Sequence, residues 1–166
     1  MEEKIKTIQN DNTLQDIMTK MCKVYTKHLD AYMHDIDVVL TNSKVTEIPT
    51  ITIEEWILNI TNILYFTVSG LEEVGLKEDV CKRIRQELYA KAHTESTGTV
   101  AERQNIALVA VQDEDLILQV YSRAYKSIKA KVDAGYEMLN SMKKILSARI
   151  TDMEISNNRF DGKERE

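Results

Sequence analysis

Residues that interrupt helices are scarce in this sequence. Proline occurs once, at Pro49, and glycine occurs five times in 166 residues. Because proline breaks a helix interior and glycine weakens it, long stretches of this chain can stay helical. The one short run typical of a strand, Ile51 to Ile53, has no partner run, and an isolated strand is not stable. The scarcity therefore predicts an all-α fold, a helical bundle.

Cysteines and long apolar runs are scarce as well. Cys22 and Cys81 lie far apart and outside any CxxC pattern, which is typical of reduced, buried thiols in a reducing cytoplasm. The most apolar window, residues 51–68, carries two glutamates and two asparagines, so a membrane span is excluded. Residues 1–12 are polar and charged, and we expect no secretory signal peptide.

Motifs of catalysis and metal binding are missing too. The sequence has no nucleophile elbow, phosphate-binding loop or dinucleotide-binding pattern. His28 and His34 are six residues apart and lie on different helix faces, and His93 is distant from both, so the histidines match no metal-ligand spacing. Neighbouring carboxylates such as Glu54 and Glu55 point in different directions on a helix and are typical of solvated surface. We therefore predict no enzyme, no catalytic residue, no metal site and no cofactor.

The sequence does contain a heptad stripe near its end, in which apolar residues recur at alternating steps of three and four. Steps that average 3.5 residues keep a stripe on one side of an α-helix, and such a stripe calls for a helical partner. Arg149 alone interrupts the register. The stripe consists of Leu118, Tyr121, Tyr125, Ile128, Val132, Gly135, Leu139, Met142, Leu146 and Met153.

This stripe allows two interpretations. A helix over residues 115–155 would be roughly 60 Å long, whereas a compact chain of this length has a radius of gyration of about 15 Å. We expect copies of the chain to share the helix in a homo-oligomer, through the stripe side chains between Leu118 and Leu146. The alternative is an intramolecular bundle whose longest helix bends or breaks at Gly135.

Capping patterns predict where the other helices begin. Thr13, Thr52 and Thr99 each precede an acidic residue three positions later, which is typical of a helix start. We expect a frayed, polar start over residues 1–12 and a loop over residues 41–51.

Further signals divide the middle of the chain. Gly70 and Gly75 predict the end of the second helix, and a third helix follows over residues 77–93. Residues 94–99 are typical of a loop, and a short helix is expected after it. The acidic residues 113–115 suit the first turn of the long helix, because they complement its dipole.

The net charge of −5 is unevenly distributed. Residues 1–81 carry 7 basic and 14 acidic side chains, whereas residues 82–150 carry 12 basic and 8 acidic side chains, a net charge of +4. A basic middle in an acidic chain favours a localised anion-binding surface. A secondary basic set lies on the long helix: Arg123, Lys126, Lys129, Lys131, Lys143 and Lys144.

The segment from Val80 to Lys91 combines cations with an aromatic side chain beside an apolar helix face. Cations neutralise phosphates and a tyrosine ring stacks on an unpaired base, so the mixture favours single-stranded nucleic acid over duplex. The alternative is a solvated basic face whose cations pair with nearby acids. The candidate DNA-binding residues are Lys82, Arg83, Arg85, Tyr89 and Lys91.

Two stretches resemble a known family. The segment Val80 to Lys91, and the stretch from Asp113 to Met153 with Gly135 inside it, are similar to the UvsY-type recombination mediators of T4-type phages. In this resemblance Arg83 and Arg85 match the family's basic pair associated with single-stranded DNA, and Tyr89 matches the tyrosine that follows it. Residues 42–75 look like an addition to the family pattern.

The resemblance implies a function without catalysis. Such mediators are ring-like homo-oligomers that bind single-stranded DNA, contact a recombinase and a single-strand-binding protein, and help the recombinase displace the latter in phage recombination, repair and replication. It also implies the cytoplasm of an infected bacterial host. The main alternative is a helical scaffold or adaptor of virion or assembly type that uses the stripe for protein contacts alone. A third is a regulatory protein that captures a partner's helix in a groove of residues 14–40 and 53–67.

These interpretations divide the sequence into four regions. Residues 1–79 form an acidic N-terminal helical region, and residues 80–112 a basic helix and loop expected to bind DNA. Residues 113–156 form the long oligomerisation helix, and residues 157–166 a polar tail.

Overall fold

Helices account for nearly the whole chain. The computed structural model describes the backbone of residues 2–161 and the side chains of residues 13–156. Its elements are α1 (Glu2–Asn42), a 3-10 turn (Val45–Glu47), α2 (Thr50–Glu95), α3 (Val100–Ala110) and α4 (Gln112–Asp161). The described backbone contains no strand, which confirms the predicted all-α fold. The side chains of the predicted polar tail, residues 157–166, lie outside the described ones.

Two compact units are assembled from separate stretches of the chain. The first unit consists of Met1–Thr26 and Val68–Ala130, and the second of Lys27–Thr67 and Lys131–Glu166. Each of α1, α2 and α4 therefore supplies a segment to both units, whereas α3 belongs to the first. The four regions predicted from the sequence are continuous stretches of chain, so they do not coincide with these units. Their functional roles stay predictions.

The core of the first unit is built from small and branched side chains. The thiol of Cys22 on α1 lies 3.9 Å from the carbonyl oxygen of Ala124 on α4, so these two helices pack closely. The buried side chains are Cys22, Thr26, Val74, Ala107, Val111, Val120, Ala124 and Ile128.

The predicted helix end at Gly70 and Gly75 is wrong, because α2 continues through both glycines. The ring of Tyr25 occupies the space that a Cβ at residue 70 would need, and a Cβ at residue 75 would lie 3.1 Å from Cε2 of Tyr125. The glycines therefore permit close packing, which outweighs their cost of about 1 kcal/mol each in a helix. The predicted third helix, residues 77–93, is the second half of α2.

Two of the three predicted helix starts are also wrong. Residue Thr13 lies within α1, and Thr52 lies inside α2, which begins at Thr50 directly after Pro49. The third prediction is confirmed. The backbone N–H of Thr99 donates to the Glu102 carboxylate at 2.8 Å, and the Glu102 N–H donates to the Thr99 hydroxyl at 3.4 Å. The predicted loops around Pro49 and before Thr99 are present.

The second unit has the more apolar core. At Gly135, α4 approaches both other helices, since a Cβ there would lie 2.8 Å from Cδ2 of Leu64 and 3.3 Å from Cδ1 of Leu29. The helix α4 continues through this position without a break. The buried side chains are Leu29, Ile36, Ile48, Ile53, Ile60, Leu64, Thr67, Val132, Leu139 and Met142.

The heptad stripe of α4 is largely covered by the chain itself. Ile128 is buried in the first unit, and Val132, Leu139 and Met142 are buried in the second. These side chains follow the intramolecular alternative, because the single chain buries them by itself. A contact between copies through the same side chains would require unpacking them. Oligomerisation itself stays a prediction.

Arg149, the residue that interrupts the stripe, anchors the loop before α2. Its guanidinium donates to the carbonyl oxygen of Ile48 at 2.6 Å, to the carbonyl oxygen of Val45, and to the Thr50 hydroxyl at 3.5 Å. The Ile48 carbonyl thus gains a charged donor, and so does the Val45 carbonyl, which also accepts from the Ile48 N–H of the 3-10 turn.

The only tryptophan of the sequence, Trp56, belongs to the second unit. It lines an apolar cavity of about 220 Å³, together with Ile53 and the two methionines Met138 and Met142. Ser141 is the one hydroxyl side chain at this cavity.

Replacing Arg149 should destabilise the protein. We expect Arg149→Ala to lower the free energy of unfolding by about 2 kcal/mol, because hydrogen bonds from a charged donor contribute about 1.5–3 kcal/mol. Lys144→Ala, at an exposed position of the same helix, is the control and should change it by less than about 0.5 kcal/mol. Urea denaturation measures both, and equal losses would contradict the anchoring role.

The cap of α3 should make stability depend on pH. The pKa of Glu102 is lowered from 4.5 because its carboxylate accepts hydrogen bonds from the backbone N–H and the hydroxyl of Thr99. Its stabilisation is therefore present above the unfolded value and is lost as the pH falls through the folded pKa. We expect Glu102→Ala to lower the melting temperature at about pH 7 and to lower it less at about pH 3. A decrease in melting temperature of equal size at both pH values would show that the charge of the Glu102 carboxylate does not contribute to stability.

Candidate nucleic-acid interface

The five predicted DNA-binding residues do not share one side of α2. Lys82, Arg85 and Tyr89 are separated by steps of three and four, which places them on the same side of the helix. Arg83 lies about 100° around the helix from Lys82, and Lys91 lies about 180° from it. Both are exposed. The structure therefore brings together three of the five residues, all in the first unit.

Lys82 is held by acids of the preceding helical turn. Its Nζ lies 3.0 Å from Oε1 of Glu78 and 3.3 Å from Oδ1 of Asp79. The hydrogen bonds to Glu78 and Asp79 raise the pKa of Lys82. Since half of the Lys82 side chain is exposed, solvent screens these pairs, and another anion can replace the carboxylates.

Arg85 connects α2 to the first turn of α4. Its Nε donates to one carboxylate oxygen of Asp115, and its Nη2 lies 3.3 Å from the other. This two-pronged pairing raises the pKa of Arg85. The acidic residues 113–115 are in the first turn of α4, as predicted. Asp115 is also the partner of Arg85. The two residues are 30 positions apart in the sequence, so no local sequence pattern predicts their contact.

Tyr89 forms a ring pair with His93 one turn later on α2. The ring centroids are 6.2 Å apart and the planes differ by 16°, which is a stacked arrangement with an offset. Both residues are half-buried. His93 was not among the predicted site residues, although its spacing of four from Tyr89 could have indicated it.

A polar cleft lies between α2 and α4 in the first unit. Its volume is about 350 Å³, and Gly75, Glu78, Asp79, Lys82, Ser122, Tyr125 and Lys126 line it. Lys126, from the secondary basic set, thus faces the same cleft as Lys82. No described acid is within ion-pair distance of Lys126. The α2 wall of the cleft therefore presents Lys82 with its two carboxylate partners, and the α4 wall presents Lys126.

The arrangement is suited to reversible binding of a polyanion. Exposed ion pairs contribute little, so a phosphate can replace Glu78 or Asp79 as the partner of Lys82 at low cost. The Tyr89–His93 pair extends the surface with an aromatic component. A bound strand would have to compete with the acids that the protein supplies itself.

Comparisons with known proteins add no assignment, since no protein-family model, curated protein or solved structure matches this chain. None of the helices in the described part of the chain is sufficiently long and apolar to cross a membrane. Within the described side chains, histidines, cysteines and carboxylates form no group of three or more that could hold a metal ion.

Proposed function

We propose that this protein binds single-stranded DNA across the α2–α4 cleft of the first unit. The observation that carries the proposal is that Lys82 and Lys126, from two helices, open onto one cleft. Arg85 and Tyr89 continue the same side of α2. Phosphates would replace Glu78 and Asp79 at Lys82 and bind directly to Lys126, and an unpaired base would stack beside the Tyr89–His93 rings.

The cellular role we propose is that of a recombination mediator. The protein would help load a recombinase onto DNA covered by single-strand-binding protein, in phage recombination, repair and replication. The resemblance of residues 80–153 to UvsY-type mediators supports this role. The proposal assigns no chemical step to the protein, because positioning of the strand is all that filament nucleation requires of it.

Assembly would strengthen this binding. Three or four cations per chain give weak affinity, whereas several linked copies raise affinity by a factor of about 100 or more. A homo-oligomer therefore belongs to the proposal, and the buried stripe of α4 means that another surface would have to join the copies.

A scaffold or adaptor role is the second candidate, and the exposed side of α3 favours it. Val109 is 64% exposed, and Ile106 and Leu108 are each 48% exposed, within an apolar run that ends at the buried Val111. Consecutive exposed apolar residues are typical of a contact surface for another protein. Binding of this kind would be independent of nucleic acid.

A fluorescence anisotropy titration with a labelled oligo-dT strand tests the DNA proposal. If Lys82, Arg85 and Lys126 replace three counterions, affinity should fall about twentyfold between about 50 and 200 mM salt. Arg83→Ala combined with Arg85→Ala should reduce affinity and flatten the salt dependence without changing assembly. Lys44→Ala, an exposed cation of the second unit, is the matched control. Affinity that ignores salt, or no binding at low salt, contradicts the proposal and favours the scaffold.

Asp115→Asn is expected to strengthen DNA binding. The substitution frees the Arg85 guanidinium for phosphate and removes a nearby negative charge, so affinity should rise about threefold to tenfold at low salt. Glu114→Gln removes a neighbouring charge of the same helical turn and is the control. Equal effects of the two substitutions would argue against Arg85 as a DNA contact.

A further inference from the structure

The segment Thr50–Thr67 of α2, in the second unit, is apolar on two opposite sides. Its inner side carries Ile53, Ile60 and Leu64, which are at most 2% exposed. Its outer side carries three large apolar side chains spaced seven residues apart, and a fourth that directly follows the last of them. These are Ile51 (60% exposed), Leu58 (70%), Tyr65 (70%) and Phe66 (66%). A helix that is apolar on both sides is normally covered on both.

We call these four residues the outer patch of α2. Fully exposed aromatic side chains present about 150–250 Å² each, so the outer patch exposes about 500 Å² of apolar surface. The sum is comparable with the largest apolar patches of ordinary monomers, about 300–600 Å², although exposed polar side chains lie between the members of the outer patch. With the polar side chains beside it, the patch approaches the about 800 Å² per partner that a specific interface buries.

The aromatic end of the outer patch is pre-arranged. The rings of Tyr65 and Phe66 meet edge to face, with centroids 5.4 Å apart and planes at 81°. A ring that a neighbour already holds loses less freedom when a partner covers it. The pair therefore suits a contact that buries both rings together.

The spacing of three of these apolar residues is symmetric about Leu58, which suits a second copy of the same segment as the partner. Ile51 lies seven residues before Leu58, and Tyr65 lies seven residues after it. In an antiparallel pair of such helices with a two-fold axis at Leu58, each leucine faces its own copy and each Ile51 faces Tyr65. Isologous contacts of this kind close into a dimer and leave no patch uncovered.

Charge supports the antiparallel register. Glu54 and Glu55 lie four and three residues before Leu58, and Asn62 and Thr61 lie four and three residues after it. The antiparallel register therefore places each glutamate opposite a neutral amide or hydroxyl. A parallel pair would place the glutamates beside their own copies, which is unfavourable.

We propose that the outer patch of α2 is a homodimer interface, in which Thr50–Thr67 packs antiparallel against the same segment of a second copy with Leu58 on the two-fold axis. The proposal is independent of DNA binding, and it assigns a role to part of the 42–75 region, which looks like an addition to the UvsY-type pattern. It also identifies a surface other than the α4 stripe for joining copies.

Sedimentation equilibrium of the full chain and two variants tests the proposal. The wild-type chain should approach twice its 19.1 kDa mass at concentrations up to about 100 µM. Leu58→Glu places two charges face to face on the axis and should weaken association at least about a hundredfold. Leu76→Glu is the matched control, since Leu76 is 66% exposed on the same helix but belongs to the first unit. This variant should associate like the wild type.

Cysteine cross-linking tests the register. In a Cys81→Ser background, Leu58→Cys should form a disulfide with its own copy, because residues on the axis face each other. Ile51→Cys should cross-link to Tyr65→Cys when the two variants are mixed, and neither should cross-link efficiently alone. A wild-type chain that stays at the single-chain mass overturns the proposal, even if another protein is later found on the patch. Loss of association with Leu76→Glu but not with Leu58→Glu, or absence of the Leu58→Cys cross-link, also overturns it.

Discussion

Burial of the α4 stripe by the chain's own helices is the constraint on which the rest of the structure depends. Val132, Leu139 and Met142 are each at most 4% exposed, and Gly135 brings α4 against Leu29 of α1 and Leu64 of α2. Because apolar burial is the main favourable term in folding, the three long helices stay together to keep this surface from water. The outer sides of α2 and α3 keep large apolar side chains exposed.

Local signals predicted the fold well where a short pattern decides the structure. The loop around Pro49, the capping box at Thr99 and the acidic first turn of α4 depend on neighbours within four residues, and all three are present. The predicted breaks at Gly70 and Gly75 failed because the deciding contacts are distant along the chain. The ring of Tyr25, 45 positions before Gly70, has no signature in the sequence around the glycine.

In the candidate site, too, local spacing predicted some features and the fold determined the others. Helical spacing alone places Lys82, Arg85 and Tyr89 on one side of α2. The partners of these cations could be anticipated only in part. Glu78 is four residues from Lys82 and follows from spacing, whereas the pairing of Arg85 with Asp115 requires the fold. Because the protein supplies its own anions, the positive charges of Lys82 and Arg85 are largely compensated, and a phosphate at either residue would have to displace a carboxylate.

The position of the single tryptophan provides a means of observing the two units separately. Trp56 lines the apolar cavity of the second unit, and no tryptophan occurs in the first. Indole emission therefore reports on the surroundings of one unit, whereas far-ultraviolet circular dichroism averages over every helix. Two transitions that coincide would mean that the units melt as one cooperative body, and a gap between them would measure how far one unit survives the other.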